Sequence, residues 1–228
     1  LQKVYETDEE RVEALKKWWA ENGKFIIAGL VLGIAAIGGW RAWGSYQNRH
    51  ASEASAKYAQ MWDALDAGQT EQARALAETL REDYAGTPYA TQAALAMARS
   101  AARADKPAEA EKQLKWVIAQ GDDDGLKLIA RLRLARLQLD AGKPAEAATT
   151  LEQAKAGGFA PLFDEVRGDA YAAQGNKDKA REAYQAALDE SENGLGNRSV
   201  LEMKLHDLAV AGASTASTPD TSAKPEQP

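Results

Sequence analysis

Apolar and charged residues are laid out in two different ways along these 228 residues. Between Lys24 and Arg41 no charge occurs, and apolar side chains fall on every side of the would-be helix. Past about residue 50, apolar positions recur every three or four residues, in blocks punctuated by Gly, Asp and Pro. The first pattern has no polar face and predicts a helix surrounded by apolar material. The second predicts amphipathic helices that must pack on one another.

Phe25 to Trp40 is wholly uncharged, and the run to Trp43 adds only Arg41. At about 1.5 Å per residue the longer stretch spans ~28 Å, the thickness of a bilayer's hydrocarbon layer. Phe25, Ile26, Ile27, Leu30, Val31, Leu32, Ile34 and Ile37 each favour insertion by about 0.3–0.6 kcal/mol, a few kcal/mol together. Trp18, Trp19, Trp40 and Trp43 bracket the run at headgroup depth. A cleaved signal peptide would be shorter and followed by small residues, whereas bulky Trp40, Arg41 and Trp43 follow here. Arg11, Lys16, Lys17 and Lys24 precede the span, while Arg41 and Arg49 follow it. The excess predicts a cytoplasmic N-terminus and, in a bacterial inner membrane, a periplasmic remainder. Gly29 and Gly33 form a G-x-x-x-G that suits close packing with another helix, although glycine is also simply common in membrane spans.

Before the span, Thr7 and Glu10 read as a capping box, and Val12, Leu15 and Trp19 share a face. An amphipathic helix over 8–21, ended at Asn22-Gly23, is expected to touch a partner or rest on lipid.

After the span the sequence repeats. Gly68, Asp105, Gly142 and Gly175 recur at spacings of 37, 37 and 33, each followed five residues later by Ala73, Ala110, Ala147 or Ala180. Each unit reads as helix–turn–helix, with Pro107 and Pro144 opening second helices, where a missing N–H costs nothing. Val200, Leu201, Leu205 and Leu208 predict a closing helix, and from Gly212 a Ser/Thr/Pro-rich composition predicts a disordered tail. The expected class is all-α: segment 1–24, span 25–43, a helical-repeat solenoid over 44–211 and a tail over 212–228.

The chemistry is sparse. There are no cysteines, and His50 and His206 have no metal-ligand spacing. No phosphate loop or hydrolase motif appears, and Asp122-Asp123-Asp124 reads as a loop or helix cap. A net charge of −6 argues against nucleic acid as a partner. The reading is therefore a binding protein, not an enzyme, with no cofactor. A solenoid binds through the concave surface lined by its first helices. The repeat register puts Tyr58, Trp62, Leu95, Arg99, Leu132, Arg133, Arg136, Glu165 and Asp169 there. Arginine beside aliphatic and aromatic groups suits a polypeptide segment or an acidic patch. Surface pairing of the arginines and core packing of Tyr58 and Trp62 fit the same pattern.

The fourth unit, with Gly168, Tyr171, Gly175, Ala180, Tyr184 and Ala187, resembles the tetratricopeptide repeat. Asp164 departs from it, since a large apolar residue is usual there. The Lys/Asn clamp that some such proteins use for chaperone C-termini is not matched. Val4 to Trp43, with its "WWAENGK" and "GWRAW" junctions, followed by alanine-rich repeats to about residue 210, resembles the YfgM family of ancillary subunits of the bacterial Sec translocon. That resemblance implies a single inner-membrane anchor with a periplasmic repeat domain. It implies association with SecYEG and with a membrane-anchored periplasmic chaperone, PpiD. It also implies help in passing unfolded secretory polypeptides to periplasmic chaperones. Two alternatives stay open: an envelope-stress regulator whose N-terminal segment binds a cytoplasmic response regulator, and a scaffold of another envelope assembly.

Overall fold

The computed structural model describes residues 8–191 and 196–216. Among them there is no strand. The helices are α1 (Asp8–Asp66), α2 (Thr70–Asp83), α3 (Pro88–Arg103), α4 (Pro107–Gln120), α5 (Asp124–Asp140), α6 (Pro144–Glu152), α7 (Ala160–Ala173), α8 (Lys177–Glu190) and α9 (Arg198–Ala216). A short 3-10 turn, Gly157–Phe159, precedes α7. The chain divides after Glu53 into two compact units.

In the first unit, α1 carries the apolar run. Every large apolar residue from Phe25 to Trp43 is between 41 and 83% exposed. A soluble core helix would bury such side chains, so this stretch is a candidate membrane span. The expected break at Asn22-Gly23 does not occur, because both residues are satisfied inside the helix. The Asn22 amide donates to the Trp18 carbonyl one turn back (3.0 Å). Gly23 lies beside the Trp19 indole, where an added Cβ would come within 3.2 Å of the ring. The expected Thr7 cap lies outside the described residues.

In the second unit, the end of α1 pairs with α2, α3 with α4, α5 with α6 and α7 with α8, and α9 follows α8. The four turns within these pairs are one structure repeated. Gly68, Asp105, Gly142 and Gly175 all have positive φ, of 74°, 55°, 71° and 78°. The amide after each reaches back five residues: Gln69 to Ala64, Lys106 to Ala101, Lys143 to Gln138 and Asn176 to Tyr171, at 2.8 to 2.9 Å. This is the Schellman ending, which satisfies the carbonyls of the first helix and reverses the chain in three residues. Glycine adopts it without strain, and aspartate at 105 is among the few side chains that tolerate it. The alanines five residues on, Ala73, Ala110, Ala147 and Ala180, are all at most 1% exposed. They sit where the paired helices cross, and their small size lets the backbones close up.

The core is a chain of apolar clusters, each bridging neighbouring helices. Met61, Leu80, Val117, Leu151, Phe163, Val166 and Leu201 are among its largest fully buried members. Polar ties join the layers. Arg74 Nη2 donates to Glu109 Oε2 (2.6 Å) between α2 and α4. Arg81, also on α2, donates to Gln113 and stacks on Trp116 (5.2 Å). Asp123 caps α5 by accepting the Leu126 amide (2.8 Å), in line with the cap reading. Leu201 and Leu208 are buried, so α9 does cover the last apolar face. It runs to Ala216 instead of stopping near Gly212, because Ala209, Ala211, Ala213 and Ala216 favour helix. Residues 217–228, where the rest of the expected tail falls, lie outside the described residues.

Candidate functional site: an arginine-lined cleft

Three consecutive helices of the second unit, α3, α4 and α5, enclose an open cleft of about 450 Å³. Arg99 and Arg103 lie one turn apart on α3; Arg133 and Arg136 lie one turn apart on α5. All four are exposed. Ala98, Ala102, Leu114 and Leu137 give the cleft an apolar surface, and Asp140 is its one acid. Small residues on α3 create the space: a larger residue at Ala98 or Ala102 would fill it. The cleft can therefore hold an aliphatic group while offering guanidinium donors around it.

The structure gathers Arg99, Arg133 and Arg136 from the sequence-derived set into this cleft. It does not bring the others there. Leu95 and Leu132 are 9% and 6% exposed and belong to core clusters. Leu132 and Arg133 are adjacent in sequence, so their side chains point about 100° apart on a helix, and only one can face the cleft. Tyr58 packs against the first core cluster and meets Trp62 edge-on (6.3 Å) and Tyr89 at 5.7 Å. Trp62 stays 37% exposed, which makes a separate aromatic patch.

Asp169 and Glu165 are engaged at the C-terminal end. Lys204 Nζ, from α9, donates to Asp169 Oδ1 (2.7 Å) and Glu165 Oε1 (2.8 Å). The Tyr184 hydroxyl donates to Asp169 Oδ1 (2.7 Å), and the ammonium lies 5.5 Å from the Tyr184 ring centre. Burial works against the Lys204 charge, but the hydrogen bonds to Asp169 and Glu165 outweigh it and hold the ammonium above its ordinary pKa. Burial, then the bond to Asp169, pushes the Tyr184 phenol up. This network fastens α9 to α7 and is structural. In the first unit, an added Cβ at Gly29 or Gly33 would meet nothing within 4 Å among the described residues.

Sequence reasoning missed Arg103, Asp140 and Lys204. Arg103 was within reach, being four residues after Arg99 on the same helix. Lys204 was not, since its partners lie 35 and 39 residues away.

Comparison with known proteins agrees with this architecture. A tetratricopeptide repeat-like domain model matches residues 16–210. Proteins named ancillary SecYEG translocon subunit are similar to the chain. The one from Escherichia coli K12 is 32% identical, covering 91% of this chain and 99% of its own length. The one from Haemophilus influenzae is 33% identical, covering 88% and 97%. The one from Neisseria gonorrhoeae is 30% identical, over the same shares. No solved structure matches. Likeness that runs through the apolar helix as well as the repeats is more than shared alanine content, and the chain belongs to the YfgM family of ancillary SecYEG translocon subunits.

Proposed function

We propose that this protein is a non-enzymatic adaptor of the Sec translocon, anchored in the inner membrane by α1. Its N-terminus is cytoplasmic and its repeats are periplasmic, where they help transfer secretory polypeptides from SecYEG to a PpiD-like chaperone. The observation that carries the reading is the full-length similarity to proteins named as subunits of that translocon. Two features of the chain support it. The exposed apolar stretch of α1 needs lipid around it, and the cleft over α3–α5 offers both apolar surface and cations to a passing chain. Tethering gives the chemistry its leverage. A weak site held near an exit channel sees emerging chains at a high effective concentration and need not bind them tightly.

The test is co-purification in mild detergent, combined with a photo-crosslinker at Arg136. SecYEG should be recovered with the full chain, and the crosslinker should capture secretory chains in transit or a periplasmic chaperone. Absence of SecYEG from the purified material would reject the adaptor reading. A reporter enzyme fused after residue 210 should be active only outside the cytoplasm; cytoplasmic activity would reject the topology.

A further inference from the structure

The repeats contain their own control for what the cleft recognises. Stepping by the repeat spacing, one position of the successive first helices is held by Trp62, Arg99, Arg136 and Asp169. At the C-terminal end this position is satisfied internally, because Asp169 receives Lys204 from α9. In the middle of the array the equivalent residues are both arginine, and both line the same cleft. Two like charges cannot satisfy one another.

The remainder of the chain does not satisfy them either. Of the ten arginines between residues 54 and 216, six bond to another side chain or a carbonyl: Arg74, Arg81, Arg131, Arg167, Arg181 and Arg198. Of these ten, the four without a side-chain hydrogen bond or ion pair to a described residue are Arg99, Arg103, Arg133 and Arg136, the four in the cleft. The chain carries 34 acidic residues against 28 basic ones, so the excess is local.

We infer that the cleft binds a segment of a partner polypeptide with at least two carboxylates flanking an aliphatic side chain. The carboxylates take the place that Lys204 takes for Asp169, with signs reversed, and accept from the guanidinium groups. The aliphatic side chain lies on Ala102 and Leu137. The occupant is not the chain's own C-terminal stretch, since 217–228 has two acids but no aliphatic residue larger than alanine or proline. This inference rests on the adaptor reading and adds the chemical class of its ligand.

The experiment uses the full chain in phosphatidylcholine nanodiscs and a fluorescein-labelled peptide of Glu, Leu and Ser, read by fluorescence anisotropy. The analogue with Gln for Glu should bind at least about tenfold more weakly, because a hydrogen bond to a charged partner is worth more than one between neutral groups. The analogue with Ser for Leu should also weaken. The double variant Arg99→Glu/Arg136→Glu should lose the acidic peptide by at least about tenfold and gain a Lys/Leu/Ser peptide. Arg181→Glu, outside the cleft, should leave binding unchanged. The inference is overturned if the wild-type chain does not bind the acidic peptide, if the Gln analogue binds within about twofold, or if the double variant binds like wild type. It is also overturned if deleting 217–228 tightens binding about tenfold, which would make the tail the occupant. SecYEG co-purification is scored separately: loss of peptide binding with SecYEG retained rejects the ligand class alone, and loss of SecYEG from the wild type rejects the adaptor reading.

Discussion

Replacing Gly168 by alanine should loosen the C-terminal half of the repeats. A Cβ at this position of α7 would lie 2.4 Å from Cδ1 and Cε1 of Tyr184, where ordinary contacts begin near 3.4 Å. Both residues are buried, so the ring must move by about 1 Å against packed neighbours. Overpacking of this kind costs about 1–3 kcal/mol. The shift also pulls the Tyr184 hydroxyl from Asp169, a bond to a charged acceptor worth about 1.5–3 kcal/mol. Against this, alanine improves on glycine within a helix by about 0.8–1 kcal/mol. The balance is a loss of roughly 2–3 kcal/mol once partial relaxation is allowed. Urea unfolding of the full chain in mild detergent, followed by circular dichroism, measures it. Hydrogen exchange should localise the loss to 160–190 and 198–210 and leave 88–140 protected, because repeats depend chiefly on their neighbours. Gly86→Ala, whose Cβ would meet nothing within 4 Å, is the control. Adding Tyr184→Leu to Gly168→Ala should cost less than the sum of the two single changes. A Gly168→Ala protein more stable than wild type by about 1 kcal/mol would mean that propensity alone governs the site, and the packing argument would fail.

Three further outcomes are expected. Lys204→Met leaves Glu165 and Asp169 side by side without their cation and should cost about 1–3 kcal/mol, with faster exchange confined to α7–α9; unchanged exchange in α9 would contradict the clamp. Asp164 is buried, and burial raises its pKa above 3.8 despite the Arg167 ion pair, so the folded state holds that proton more tightly than the unfolded one. Its contribution is then fully present below pH 3.8 and is lost as pH rises through the folded value, so Asp164→Asn should gain on wild type over that window and stay ahead at pH 7; a less stable Asn variant at pH 7 would show that the Arg167 pair dominates. Leu32→Arg puts a charge costing about 2.5–3.5 kcal/mol at the centre of a span favoured by only a few. Alkaline carbonate should then release the variant from membranes while wild type stays in the pellet, and equal retention would argue against a span.

What could be read from the sequence was what local stereochemistry enforces. Gly68, Asp105, Gly142 and Gly175 stood out because a left-handed residue is needed at each reversal, and few side chains accept it. Ala73, Ala110, Ala147 and Ala180 followed from the crossing that each reversal creates. The uncharged run before Arg41 was equally plain, since a stretch of that length without a charge has no polar face to turn to water. Helix phase was harder. Leu95 and Leu132 were placed on the concave face with arginines that their own helices point elsewhere, because an error of one residue rotates a side chain by about 100°. Asn22-Gly23 looked like a stop, yet an asparagine that bonds back to the Trp18 carbonyl has no reason to end a helix. Asp169 looked available only because its lysine lies 35 residues downstream, and no local rule reaches that far.

The Lys204 clamp has a consequence for geometry. By holding the chain's own cation against Asp169, it closes to outside ligands the last of the four equivalent positions that begin at Trp62. If the cleft takes the acidic segment inferred above, that segment engages α3–α5 alone and its footprint is short. Lengthening such a guest beyond those helices should add little affinity, as suits the transfer role proposed for it.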